Sequence, residues 1–364
     1  MLTHIHVENF KSLKNITLDL QRVNLLIGPN NSGKSNLLKA IEFFYQRILN
    51  LEIDENLYDY YFLKQHDKEI KIKLCIDSYI CWLSLSKPNI KTVNIWSSLD
   101  PQNHYEPIDL MNSQIKDFLS LNVPDFSPIK DIKLFRTFIP FLRIYKPDPN
   151  KFTGVYALSG DQHVEGDCAN LVPFLFNLSQ NNKKQFKEIE KGLADCVGDL
   201  VGIGTPAVQE GEVSKLRLKF FDKDDNTFWA DEVSEGVLYF LALLCIVHQP
   251  NPPKLLLLEE PERGIHPRRI QEVMNFIFQL AQQKDIQVIM TTHHERVVDY
   301  FADIPEAVFI FDKDTEGATQ VKNLKYDIIE PLDKQYESDG LPKIKFADSL
   351  GEHWAAGFMG GVPQ

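Results

Sequence analysis

The sequence predicts an α/β fold with a mixed or parallel core sheet, an antiparallel β layer and a helical lobe. Three observations carry this. An apolar run, Val23–Ile27, enters a glycine-rich loop that opens a helix-like segment at residues 36–47. Two more apolar runs, at residues 255–258 and 286–290, end in polar residues, as buried strands do where they leave a central sheet. Between them lie β-rich pieces at residues 69–97 and helical periodicity at residues 166–201.

Taken in order, residues 4–10 alternate in polarity and read as a strand, residues 17–20 read as its partner, and Lys11 and Ser12 sit in the turn between them. Val23–Ile27 then feeds Gly28-Pro29-Asn30-Asn31-Ser32-Gly33-Lys34-Ser35, which has the spacing G-x-x-x-x-G-K-S. Gly28 and Gly33 let the backbone curl so that the N–H groups of the loop, including those of Asn30, Asn31 and Ser32, point inward. With the positive end of the following helix, which Asn36 enters, these groups form a site for polyphosphate. Lys34 is placed to reach the outer phosphates, and the Ser35 hydroxyl to bind Mg²⁺.

After that helix, Ile70–Ile76, Tyr79–Leu85 and residues 92–96 suggest the antiparallel layer. Residues 98–150 are cut into short segments by Pro101, Pro107, Pro124, Pro128, Pro140, Pro147 and Pro149, and read as an irregular insertion. Helical faces follow, with Leu171, Phe174, Leu175 and Leu178 on one and Phe186, Ile189, Leu193 and Val197 on another. Residues 213–221 and 227–230 read as a hairpin around an acidic turn, which lacks the glycine and terminal glutamate of a Ca²⁺ loop. No internal repeat and no long heptad run is present.

Three further motifs bear on chemistry. Ser234-Glu235-Gly236 leads into residues 237–247, apolar on all sides and so a buried helix, with Ser234 as its N-cap. Such an end serves either as simple capping or as a second anion-binding helix terminus. Residues 255–258 end in Glu259-Glu260-Pro261-Glu262, carboxylates at the exit of a buried strand. Glu259 suits Mg²⁺, and Glu260 suits a general base that polarises the attacking water. The third strand ends in Thr291-Thr292-His293-His294, where His293 is placed to meet a γ-phosphate or to position water, and His294 faces elsewhere. An amphipathic helix at residues 267–282 carries Ile270, Val273, Met274, Ile277 and Ala281 on one stripe, with Pro267 in its first turn.

Composition bounds the class. The 364 residues form one large or two intimate domains with ordinary apolar and charged fractions. Five cysteines lie scattered, none in a C-x-x-C pair, which fits reduced thiols and offers no metal site. No basic-then-apolar stretch opens the sequence, and the apolar run at residues 237–247 is short of the about 18 residues that span a bilayer. The expectation is a cytoplasmic protein that makes no membrane contact. A net charge of −12 argues against a uniformly basic nucleic-acid coat and leaves room for a local strip. The lysine-rich residues 183–191 alternate with Glu188 and Glu190 and read as a solvated helix face.

In their order these motifs resemble an ABC-type ATPase head of the RecF, SMC and OLD group. The resemblance rests on the P-loop ending in Lys34-Ser35-Asn36, a signature with Ser234-Glu235-Gly236, Walker B with Glu259-Glu260-Pro261-Glu262, and Thr291-Thr292-His293. The opening Val7-Glu8-Asn9-Phe10-Lys11-Ser12-Leu13 resembles the group's first strand and turn, which adds Lys11 to the nucleotide-binding candidates. Gly264-Ile265-His266-Pro267 resembles the D-loop. The resemblance implies two heads that sandwich ATP and Mg²⁺ head to tail. Lys34, Ser35, Glu259, Glu260 and His293 come from one subunit, and Ser234 and Gly236 from the other. Departures are Glu259 where many relatives carry aspartate, Val-Ser-Glu-Gly in place of Leu-Ser-Gly-Gly, and a Q-loop glutamine for which only Gln65 and Gln162 are candidates. The stretch after His293 is short for a fused Toprim nuclease, and Trp354 and Phe358 read either as a docking tail or as packing onto the head.

The expected organisation is an N-terminal ATPase lobe (1–97), an insertion and helical lobe with a β-hairpin (98–230), a C-terminal ATPase lobe (231–325) and a tail (326–364). The resemblance implies a hydrolysing ATPase that works as a homodimer or larger homo-oligomer in anti-phage defence or recombination repair. It would act with DNA or with a separately encoded effector, a nuclease or a toxin. Two other classes stand beside it: a scaffold that holds ATP without hydrolysing it and restrains a toxin or nuclease, and, less favoured by the signature, the ATPase subunit of a transporter.

Overall fold

Residues 1–49, 60, 62, 68–76, 79–85, 91–97, 108–109, 142–263, 265–340 and 349–362 are described by a computed structural model. Expectations for Gln65, Gly264, residues 341–343, Pro363 and most of residues 98–150 lie outside the described residues. The chain forms two units, one of residues 1–142, 255–257 and 285–364, the other of residues 143–254 and 258–284.

In the first unit, β1 (Leu2–Phe10), β2 (Leu13–Asp19) and β3 (Val23–Ile27) lead into α1 (Lys34–Leu49), followed by β4 (Ile70–Ile76), β5 (Tyr79–Leu85), β6 (Lys91–Ser97) and β7 (Ile108–Asp109). One sheet runs β2-β1-β4-β5-β6-β7 with every pair antiparallel. Alternation in β4 buries Ile70, Ile72, Leu74 and Ile76 on a single face, the period-2 pattern of a sheet with one covered side. By contrast all five residues of β3 are buried, as a central strand requires.

The second unit contains β8 (Ile144–Tyr145), β9 (Val155–Tyr156), α2 (Leu171–Asn181), α3 (Lys183–Val197), β10 (Leu200–Gly204), β11 (Ala207–Glu210), β12 (Val213–Arg217), β13 (Lys219–Asp222), β14 (Thr227–Trp229) and α4 (Glu235–His248). The strand β15 (Leu255–Glu259) passes from the first unit into the second, where α5 (Ile270–Gln283) follows. Every residue of α4 from Gly236 to His248 is buried, so the helix is a core element and has no polar face. The expected stripe of α5 is buried in full, and Phe276 and Leu280 widen it.

One sequence expectation is corrected here. Residues 213–221 do not form a single strand. β12 pairs with β11 and β9, whereas β13 pairs with β10 and β14, so the chain changes sheets at Leu218. Leu216, Leu218 and Phe220 are all buried and keep the period of two across the change, so the alternation shows no break.

The chain returns to the first unit through β16 (Gln287–Thr291), α6 (Glu295–Asp299), β17 (Val308–Lys313), β18 (Thr319–Asn323), α7 (Glu330–Ser338) and α8 (Leu350–Ala355). Its core sheet runs β18-β17-β3-β16-β15, with β17 and β16 parallel to β3 and β18 antiparallel to β17. Among the described residues no helix is long and apolar enough to cross a membrane.

His248 closes α4 buried, with neither ring nitrogen hydrogen-bonded. Burial, assisted by the Lys284 ammonium and opposed by Glu188, pushes its pKa from 6.5 down to about 4. The folded chain therefore holds His248 neutral, while the unfolded chain protonates it below pH 6.5. Its contribution is complete above pH 6.5 and is lost as the pH falls toward about 4. Denaturant unfolding at stepped pH is expected to show stability falling over this window, by about 1 kcal/mol per pH unit from this group. In His248→Phe the fall is expected to be shallower.

Candidate nucleotide site

The parallel register sets one edge of the first unit's core sheet. Thr291 lies opposite Leu26, and Ile310 opposite Ile27, so β3 and β16 end side by side while β17 runs on to Lys313. The P-loop and the segment Thr292-His293 leave the sheet at this edge, where ligands bind in open α/β folds. Gly28 has φ 143°, and a Cβ there would stand 2.2 Å from the Phe311 carbonyl oxygen. Gly33 has φ 111°, and a Cβ would stand 2.2 Å from Thr319 Oγ1. Both positions demand glycine twice over, for conformation and for space. Asn31 adopts the left-handed region at φ 65°. Asn30 and Asn31 are exposed, whereas Ser32 is buried beneath the loop.

Lys34 is almost wholly buried, and its ammonium donates to the carbonyls of Gly28 and Pro29, both at 2.8 Å. The charge is thus held inside the curl of the loop. Ser35 and Asn36, half-buried, occupy the first turn of α1.

A polar network that the sequence does not announce holds this loop. Thr319 Oγ1 donates to the Ser32 carbonyl at 2.8 Å and lies 2.7 Å from Ser12 Oγ. Asn36 Nδ2 donates to Ser12 Oγ at 2.8 Å, and the Thr319 N–H donates to the Ser12 carbonyl at 2.8 Å. The first turn, the P-loop, the start of α1 and the start of β18 are thereby tied together. Thr319 is buried and carries no motif. Lys11 sits in the β1–β2 turn at φ 51°, its ammonium over the Tyr60 ring at 4.7 Å.

At the end of β16, Thr292 is buried and its hydroxyl accepts from the His294 N–H at 3.0 Å. His294 Nδ1 accepts from the Arg296 N–H at 3.2 Å and caps α6. His293 is half-buried and lines a cavity of about 380 Å³ with His294, Glu295, Trp354, Ala355 and Val362. The tail therefore packs onto the head. Trp354 is fully buried and its indole donates to the Gly361 carbonyl at 3.1 Å. A Cβ on Gly361 would lie 2.5 Å from Ile310 Cγ2 and 3.6 Å from the Gly28 Cα. Phe358 is exposed.

In the second unit, Ser234 is the N-cap of α4 by backbone angle, yet its hydroxyl makes no capping bond. It accepts instead from Arg269 Nη1 at 3.0 Å, and the Arg269 side chain also lies against Gly236. Ser234 and Glu235 are exposed, while Gly236 and the rest of the helix are buried. Glu259 ends β15, and Glu260 follows at φ 50°, a conformation that non-glycine residues adopt mainly at constrained sites. Lys146 Nζ stands 3.7 Å from Glu259 Oε1 and 3.3 Å from Glu260 Oε2, and Arg263 Nη1 stands 3.5 Å from Glu260 Oε2. Gln162, the Q-loop candidate among the described residues, is exposed and is not in this set.

The donor chemistry of the candidates fits Mg²⁺. A carboxylate at Glu259 and a hydroxyl at Ser35 are hard oxygen ligands, and Mg²⁺ is usually held by one or two carboxylates plus phosphate oxygens and water. No group of three or more His, Cys, Asp or Glu side chains suited to a metal occurs among the described residues.

Fold and motif order together define an ABC-type P-loop ATPase of the RecF, SMC and OLD group. Residues 87–299 match the family described as "AAA domain, putative AbiEii toxin, Type IV TA system", and residues 1–134 match an AAA ATPase domain family. The first match spans more than half of the chain, and the chain belongs to that family. It is 21% identical over 366 residues to the OLD nuclease of Thermus scotoductus, covering 92% of this chain and 66% of that one, just under two thirds of its length. It is 24% identical over 382 residues to an ATP/GTP phosphatase of Helicobacter pylori, covering 94% of this chain and 97% of that one. Among solved structures, the SMC head domain from Thermotoga maritima superposes with a TM-score of 0.50 at 15% identity, over 88% of this chain and 98% of that chain. An Smc head bound to the C-terminal winged-helix domain of ScpA gives 0.53 at 14%, over 88% and 96%. The structural likenesses establish the fold. The family matches identify an ATPase.

Thr319→Val removes one hydroxyl and leaves the shape. It is expected to cost about 1–3 kcal/mol of stability by orphaning buried partners, with weaker ATP binding in equilibrium titration. Ser234 offers a contrast, because its hydroxyl is not a cap: Ser234→Ala is expected to change the melting temperature little.

Proposed function

We propose that the chain is a hydrolysing ATPase whose heads close head to tail around ATP and Mg²⁺, and that the closed dimer controls a separate effector. Lys34 and the N–H groups of the P-loop hold the phosphates. Ser35 and Glu259 hold Mg²⁺. Glu260 orients and deprotonates the attacking water, and His293 meets the γ-phosphate. Ser234 and Gly236 of a second copy present the positive end of α4 to the same phosphate. The observation that carries this reading is the exposed start of α4. A helix buried from Gly236 to His248 starts at an exposed Ser234 whose hydroxyl is not spent on its own backbone.

The effector reading draws on the relatives: one is an OLD nuclease, and the family description names a toxin of a type IV system. A nuclease or a toxin is therefore the proposed partner class, with DNA as a further ligand and anti-phage defence or recombination repair as the setting. A scaffold that binds ATP without turnover is the second reading, favoured by Glu259 in place of aspartate.

Light scattering of Glu260→Gln tests the dimer. ATP with Mg²⁺ is expected to double its mass, and Ser234→Arg in the same background to abolish the rise. A mass that does not respond to ATP contradicts the ATP-closed dimer.

A further inference from the structure

β8 leads the chain into Lys146, beside the end of β15 in the second unit. Its ammonium reaches both consecutive carboxylates, Glu259 at 3.7 Å and Glu260 at 3.3 Å. The backbone that carries it is fixed. The Lys146 N–H donates to the Gly166 carbonyl at 2.7 Å, and Pro147 follows. The preceding Tyr145 is fully buried, and its hydroxyl accepts from Gln249 Nε2 at 3.0 Å. Gln249 is also buried and uses its other amide atom to accept from the Val164 N–H at 2.9 Å. Arg263 touches only Glu260, at 3.5 Å, from a side chain 69% exposed against 37% for Lys146.

Two adjacent carboxylates repel each other, and a cation that reaches both relieves the repulsion. A divalent metal asks for the same oxygens. An ammonium and Mg²⁺ on one pair of carboxylates exclude each other by charge, so the metal binds only by displacing the lysine. We propose that Lys146 is a built-in counter-cation of Glu259 and Glu260, and that it sets the Mg²⁺ concentration at which the site loads. This rests on the assignment of Glu259 and Glu260 as the metal- and water-facing carboxylates. The anchor adds a mechanical link. Gln249 follows α4 directly, Ser234 stands at the other end of that helix, and Gln249 holds the residue before Lys146.

The test reads binding, not turnover. The melting temperature of the full chain is followed with a non-hydrolysable ATP analogue at fixed concentration while Mg²⁺ is varied. The Mg²⁺ concentration giving half of the rise is compared among wild type, Lys146→Met, Lys146→Gln, Lys146→Arg and Glu259→Gln. Loss of an ammonium at this half-exposed position is expected to lower that concentration about 3- to 10-fold in both neutral variants. Lys146→Arg keeps the charge and is expected to stay near wild type, and Glu259→Gln to raise the value. Neutral variants at or above the wild-type value, with Glu259→Gln still raised, overturn the counter-cation and leave the metal-site assignment standing. If Glu259→Gln does not move the value either, the metal-site assignment falls, and the counter-cation falls with it.

Discussion

The contact on which the first unit depends is the seating of the P-loop against β17 and the start of β18. Gly28 comes so close to the Phe311 carbonyl, and Gly33 so close to Thr319, that any side chain would collide. The loop is therefore shaped from outside as well as by its own glycines. Thr319 supplies the polar half of this seat by bonding to the Ser32 carbonyl and Ser12. A phosphate cradle works only if its N–H groups are already aimed, since reorganising them would consume the binding energy they provide. Here the Ser32 carbonyl is held by a residue nearly 300 positions away in the chain, through a buried bond.

The second unit solves a different problem, that of presenting a helix terminus rigidly. α4 has no solvated face, so its position is set by packing along its whole length. Its start carries Ser234 and Arg269, and beyond its end Gln249 holds Tyr145.

Much of this was legible in the sequence because it is local. The P-loop, the buried runs before Glu259 and Thr292, and the unbroken apolar helix after Ser234 are each encoded in fewer than about 15 consecutive residues, within reach of periodicity and spacing. The placement of Glu259 and Glu260 at the exit of β15 is of this kind. What could not be read is what distant residues do to one another. Thr319 stands in an ordinary strand, and only its partners give it a role. Lys146 lies in a proline-broken stretch, and nothing in its neighbours points to β15. Ser234 was legible as a cap position, yet its hydroxyl turns to Arg269, 35 residues further along the chain. The change of sheet at Leu218 was hidden because the alternation continues through it.

Glu260 is the proposed base of the ATP-hydrolysing site. Steady-state phosphate release by the wild-type chain and by Glu260→Gln, with ATP binding measured on the same preparations, tests it. The substitution keeps size and hydrogen bonding and removes the base. The account predicts turnover lower by about 100-fold or more with ATP binding retained. Wild-type turnover in Glu260→Gln would contradict it.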